Sequence, residues 1–196
     1  MCGIAGLIHK GKTVDIGKEL RDMLQALKHR GPDSTGYALY GEGESDNYIM
    51  RFKVGENVKE GSTAVNEDKS VYDSRRKLVD QHIKDLGADI VQDQQLTPYS
   101  FRYVIKYDKD LMEFSKRIES VEMTEILSMG KTLELVKDIG DATVVSKQYG
   151  LDKIKGTHAI GHSRMATESG VDIRSAHPFW GYPFSDVSVV HNGQLT

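Results

Sequence analysis

Met1-Cys2-Gly3-Ile4-Ala5-Gly6 opens the chain, and Cys2 is its only cysteine. A small second residue permits removal of Met1, which would leave Cys2 with a thiol and a free α-amine on one residue. Reference pKa values of about 8.5 for a thiol and about 7.7–8.0 for an α-amine leave part of the amine unprotonated at neutral pH. The amine can then serve as general base for its own thiol, directly or through one water, with no histidine partner. Gly3 and Gly6 let backbone approach a substrate closely. The competing reading is a small residue buried in an opening strand, a common situation for a free cysteine.

The rest of the composition narrows the class. The 196 residues suffice for one domain, or one domain with a sizeable insertion, and 38% hydrophobic content is enough for a core. A net charge of −3 leaves no basic footprint, so nucleic acid is not an expected partner. No apolar run approaches the roughly 18 residues of a membrane span, and no signal-peptide pattern opens the chain. A single cysteine excludes an intrachain disulfide and a cysteine-rich zinc site. A cytoplasmic, reducing location is therefore expected.

Hydrophobic periodicity sets the elements. Gly3–His9 reads as a buried strand. Val14–Lys28 reads as an amphipathic helix with Ile16, Leu20, Met23, Leu24 and Leu27 at helical spacing. His29–Gly36 is a tight loop, and Tyr37–Tyr40 and Tyr48–Val54 are strands around a turn. Ser62–Asp68 reads as a polar linker. Helices are expected at Val71–Leu86, Leu111–Ile118 and Ala142–Tyr149. Strands are expected at Phe101–Tyr107, Val121–Ser128, Thr132–Asp138 and Gly156–Arg164. Ala176–Pro183 reads as a loop, and Val187–His191 as a buried strand ending at Asn192-Gly193.

Three blocks carry a resemblance when taken in order: Met1–Gly6; His29-Arg30-Gly31-Pro32-Asp33-Ser34-Thr35-Gly36; and His162-Ser163-Arg164-Met165-Ala166-Thr167 with His191-Asn192-Gly193. Together they resemble the class II glutamine amidotransferase domain, a family of N-terminal-nucleophile hydrolases that split glutamine into glutamate and ammonia. The match covers roughly residues 1–55 and 156–196. It implies an α+β fold, the αββα sandwich of those hydrolases. The amidotransferase domain would occupy residues 1–65 and 141–196, with an inserted β-α-β-β subdomain over 66–140. The family fold continues beyond its Asn-Gly pair and carries a later Asp for the glutamine amine, so the chain reads as the N-terminal portion of a longer protein.

The resemblance also assigns roles. Cys2 would be nucleophile and base, and Asn192 and Gly193 the oxyanion pair; losing one such donor costs about 10²–10³ in rate. Taken alone, Asn-Gly is equally the signal of a type I′ hairpin turn. Arg164 would hold the substrate carboxylate with its bidentate fork, with Thr167 nearby and His177 as a wall. A lone arginine can equally be a surface ion pair. Arg30 and Asp33 would be supporting residues behind Cys2. Relatives often carry an aromatic residue in place of Met165 and a histidine in place of Glu168. His158 and His162 would share a strand face, but no carboxylate or cysteine completes a ligand set, so no metal is expected.

Within the family, the chain is most similar to the separate amidotransferase subunit of archaeal-type glutamate synthases. By that resemblance, glutamine is the substrate and ammonia passes to a synthase subunit bearing flavin and iron–sulfur clusters. No cofactor is expected on this chain, which has no Gly-x-Gly-x-x-Gly and no phosphate loop. Other ammonia acceptors, such as phosphoribosyl pyrophosphate or aspartate, remain open. So do two other readings: a ligand-sensing or docking subunit with a vestigial amidase site, and a purely structural subunit.

Overall fold

A computed structural model describes residues 2–31, 33–44, 46–56, 67–165 and 173–193. The elements in order are β1 (Gly3–Ile8), α1 (Ile16–Ala26), β2 (Ser34–Gly41), β3 (Tyr48–Lys53), α2 (Lys69–Asp85), β4 (Asp89–Thr97), β5 (Ser100–Lys106), α3 (Leu111–Glu119), β6 (Glu125–Gly130), β7 (Leu133–Ile139), α4 (Ala142–Tyr149), β8 (Gly156–Arg164), β9 (Phe179–Trp180) and β10 (Ser188–Val189). The class is α+β. No described helix is long and apolar enough to cross a membrane.

The helices form where periodicity and caps agree. Ile16, Leu20 and Leu24 recur four apart on α1 and are fully buried. Asp68, Asp110 and Asp141 each cap a following helix by accepting a backbone N–H of its first turn. Gly150, in the left-handed region, ends α4.

Two antiparallel four-stranded sheets carry the fold, in the orders β1-β8-β2-β7 and β4-β5-β3-β6, with β10-β9 as a separate ribbon. Helices α1 and α4 pack on one face of the first sheet, around Ile16, Leu20, Tyr37, Leu39, Val145 and Ala159. Helices α2 and α3 pack on one face of the second, where Val79, Ile83, Phe114 and Ile118 meet Phe52, Phe101 and Tyr103. The sheets meet through Ala38, Leu133 and Leu135 of the first and Leu127 of the second. The second sheet also presents charge to the first. Arg51 and Arg102 both donate to the buried carboxylate of Glu134 on β7, at 2.7 and 2.8 Å. Glu125 bridges Lys53 and Lys137, each at 3.0 Å.

Several local readings differ from the structure. Val187–His191 is not a buried strand. Only Ser188–Val189 is extended, and Val187 and Val189 are exposed, because the two-stranded ribbon covers one face alone. The loop assigned to Ala176–Pro183 contains β9. β4 was not anticipated: as the outer strand of its sheet, with Asp, Gln and Val facing solvent, it lacks an apolar period. The Val121–Ser128 strand starts only at Glu125, after a turn in which Met123 takes φ 57°. β2 and β3, adjacent in sequence, lie in different sheets. Between residues 67 and 140 the order is α2-β4-β5-α3-β6-β7, with β4, β5 and β6 in the second sheet beside β3, and β7 in the first beside β2.

Candidate active site

Segments far apart in sequence meet at one end of the first sheet. Cys2, half-buried, immediately precedes β1. Gly3 pairs with Ser163, so the next step of the same register sets Cys2 level with Arg164, the last residue of β8. Gly31 closes against that strand end. A Cβ there would fall 2.4 Å from the Arg164 carbonyl carbon, so only glycine fits. The Asp33 N–H donates to the Arg164 carbonyl at 3.1 Å, and the Gly140 N–H to the Asp33 carbonyl at 3.0 Å. A Cβ on Gly3 would lie 3.7 Å from that of Arg30. Arg30, Gly31 and Asp33 therefore pack directly behind the strand ends that carry Cys2 and Arg164.

The fourth segment arrives from the far end of the chain. Asn192 Nδ2 donates to the Cys2 carbonyl oxygen at 3.3 Å. Gly193 follows, its nearest foreign neighbour being the His191 ring. Thr167 lies outside the described residues. The structure thus brings together Cys2, Arg30, Asp33, Arg164 and Asn192.

His177 sits one step further in. It is buried, and its ring lies 4.8 Å from His162 and 6.4 Å from His191. Gly36 makes room for it, because a Cβ on Gly36 would fall 2.0 Å from the His177 carbonyl oxygen. His162 pairs with Ile4 on one side and Gly36 on the other, and Gly36 in turn pairs with Lys137. Strand alternation turns His162 and Arg164 to the face opposite Ala159 and Gly161, which pack against α1.

This inner row carries an unusual polar debt. Both ring nitrogens of His162 and Nε2 of His177 are buried without a hydrogen-bond partner, as is Oγ of Ser34, which pairs with Arg164 at the strand end. They make up four of the seven such side-chain atoms among the described residues, so the unmet polarity is concentrated beside Cys2 and Arg164. Burial, with His177 and Arg164 adding positive charge nearby, lowers the His162 pKa from 6.5 to about 4. Burial, followed by His191, Lys137 and Arg164, lowers that of His177. Both rings are neutral at neutral pH. Sequence reasoning weighed His162 only as a metal ligand and passed over Ser34. The two-residue step from His162 to Arg164 on one strand was the available signal. His158, the other histidine of that face, stacks on Tyr40 at 4.1 Å. No group of three or more potential ligands is placed to hold a metal among the described residues.

No model of a known protein family matches the chain. Curated relatives do. The chain is 35% identical over its whole length to a protein of Methanothermobacter thermautotrophicus whose name provisionally makes it a glutamine amidotransferase, covering 62% of that protein. It is 30% identical, again over its whole length, to the glutamine amidotransferase-like protein GlxB of Rhizobium meliloti, covering 60% of it. Over 46% of its length it is 34% identical to the glutamine–fructose-6-phosphate aminotransferase of Methanococcus maripaludis, of which it covers 15%. The chain thus spans about three fifths of the length of the two relatives it matches from end to end.

Proposed function

We propose that this chain, a relative of glutamine amidotransferases, hydrolyses glutamine through an N-terminal Cys2 and passes the ammonia to a synthase subunit for glutamate synthesis. One observation carries the reading. The side-chain amide of Asn192 reaches Cys2 across 190 residues of sequence, at the strand end that also bears Arg164. The fold proposed is the αββα sandwich of N-terminal-nucleophile hydrolases. It is supported by two sheets that each bear helices on one face and meet each other besides.

In this reading the Cys2 thiol gives its proton to its own α-amine, and the sulfur attacks the side-chain carbonyl carbon of glutamine. Negative charge gathers on the carbonyl oxygen, where Asn192 Nδ2–H and the Gly193 N–H donate to it. The C–N bond then breaks, the amine returns its proton to the departing nitrogen, and ammonia leaves a thioester on Cys2. Water hydrolyses the thioester, releasing glutamate and restoring the thiol. Arg164 holds the α-carboxylate in a bidentate grip, with Thr167 nearby. Arg30 and Asp33 back the site. Flavin and iron–sulfur clusters belong to the synthase partner, and the inserted unit read over residues 66–140 is proposed to dock it through the part outside β7, which belongs to the first sheet beside β2.

The test is glutamate release by the full-length protein. The wild type should release it, and Cys2→Ala should not. A glutamine analogue with an electrophilic side chain should label Cys2 alone, and the active protein should have lost Met1 by intact mass. Turnover by Cys2→Ala, or by a preparation that quantitatively retains Met1, would remove the mechanism.

A further inference from the structure

A cavity of about 150 Å³ lies where β6, β7 and the end of α3 meet the segment around β9. Glu119, Glu125 and Lys137 line it from the helix and strands, and Phe179, Trp180 and Tyr182 from the aromatic segment. None of the six takes part in the reaction proposed above. We propose that this cavity binds a small organic monocation, a protonated amine on an apolar body. A cavity of about this volume holds a benzene molecule, so the ligand has about six non-hydrogen atoms.

The protein already places one ammonium in such a setting. Lys137 Nζ lies 4.9 Å from the centre of the Phe179 ring and 3.0 Å from Glu125, and it donates to the Arg174 carbonyl at 3.2 Å. The attraction of a cation to a ring face is electrostatic and strengthens as water is excluded. Glu119 offers a second carboxylate beside the same aromatic segment. It accepts the Ile126 N–H at 2.9 Å, which fixes it at the cavity. Among the described residues no lysine or arginine pairs with it, and its charged neighbour is Glu125. Desolvation raises the Glu119 pKa, the Ile126 bond lowers it less, and the Glu125 charge raises it further. The nearby cations are engaged elsewhere, Lys53 and Lys137 on Glu125 and Arg174 on Glu56. Trp180 and Tyr182 stand edge to face, 5.5 Å between centres. The Trp180 N–H goes to the Phe184 carbonyl at 2.8 Å and the Tyr182 O–H to the Met112 carbonyl at 3.3 Å, so what the two offer a ligand is ring surface. An ammonium beside Glu119 is paired by its charge, and its apolar body is covered by these rings. A neutral molecule gains only the second, and an anion meets two carboxylates.

The 196 residues hold one tryptophan, Trp180, which makes it the reporter. The experiment uses the full-length protein grown with fluorotryptophan, and Trp180→Phe assigns its fluorine resonance. Pentylammonium chloride is the probe, with 1-pentanol as its neutral counterpart and potassium chloride at matched ionic strength as the salt control. The Trp180 resonance should shift saturably with pentylammonium, half-saturating at about 1 mM, an ordinary affinity for a ligand of this size. 1-Pentanol should need about tenfold more, and potassium chloride should leave the resonance in place. Glu119→Gln should raise the half-saturating concentration of pentylammonium about tenfold. Glu119→Asp, which keeps the charge on a shorter arm, should bind it more tightly than Glu119→Gln does. Urea midpoints of both variants matching the wild type would exclude unfolding as the cause. A shift that is absent or never saturates would overturn the proposal. So would an equal response to 1-pentanol, which marks a merely apolar cavity, an equal response to potassium chloride, or wild-type binding by Glu119→Gln. The readout needs no turnover, so it is independent of whether the chain hydrolyses glutamine.

Discussion

Arg164 and Asn192 act at opposite ends of one small molecule in the proposed reaction, so their losses should read differently. Asn192 serves the charge that develops only in the transition state. Asn192→Ala should lower kcat by about 10²–10³ with little change in KM. Arg164 grips a carboxylate present throughout, and Arg164→Lys loses the fork, so it should chiefly raise KM. Steady-state kinetics with the two patterns exchanged would exchange the roles. His162 gives a second residue-scale test. The unfolded chain takes up its proton near pH 6.5, whereas the folded ring does so only near pH 4. Between those values the unfolded state holds more protons, so stability is complete above the window and lost as pH falls through it. The loss is on the order of 3 kcal/mol, and His177 adds to it in the same direction. Urea midpoints measured across that range should fall less steeply in His162→Phe. The meeting of Cys2, Arg164 and Asn192 could be read from the sequence because each sits in a motif block. The burial of the His162 ring could not, because a missing hydrogen-bond partner exists only in three dimensions.

Among the elements, the aromatic segment around β9 and β10 is clamped by Asp186, with Tyr40 bonded to Ser188 and Tyr182 donating to the Met112 carbonyl besides. The Asp186 carboxylate accepts from the backbone N–H groups of Lys131, Thr132 and Leu133 and from the Thr132 hydroxyl, at 2.7–3.0 Å. The Trp180 indole donates to the Phe184 carbonyl at 2.8 Å, which leaves the Phe184 ring exposed on a fixed turn. Asp186→Ala should cost about 3 kcal/mol, from several charge-assisted bonds lost together, and should raise hydrogen exchange at Lys131–Leu133. Unchanged exchange there would show the clamp to be dispensable. The helices could be read from the chain because apolar spacing and Asp caps coincide. The short strands of this segment could not, since two-residue ladders leave almost no alternation and their exposed valines mimic a core.

At the scale of the molecule, the two sheets are joined as much by charge as by apolar packing. Arg51 is almost fully buried, and its guanidinium depends on Glu134, which also receives Arg102. Burial raises the Glu134 pKa, but the two arginines outweigh it and hold the carboxyl below its ordinary value. Glu134→Gln should destabilise the protein by about 3–5 kcal/mol, because it strands a buried cation. The pair Arg51→Met with Glu134→Leu should recover most of that in denaturant titration, and failure to recover would mean that the charges themselves specify how the sheets meet. The sequence offered no sign of this joint, since its charged residues are scattered over three strands and look like solvent-facing alternation.

Among the described residues strand β1 has one ladder partner, β8, and β8 follows it by about 150 residues. During synthesis, therefore, the opening residues leave the ribosome with nothing to pair with and stay accessible until almost the whole described chain has emerged. An aminopeptidase acting on the nascent protein meets a loose end, and Cys2 is drawn into its setting only when β8 arrives. In the proposed reaction, this order of assembly would leave Cys2 open to processing until its setting has formed. Ribosome-stalled chains ending before Gly156 should already lack Met1, and retention of Met1 on them would place the trimming after folding instead.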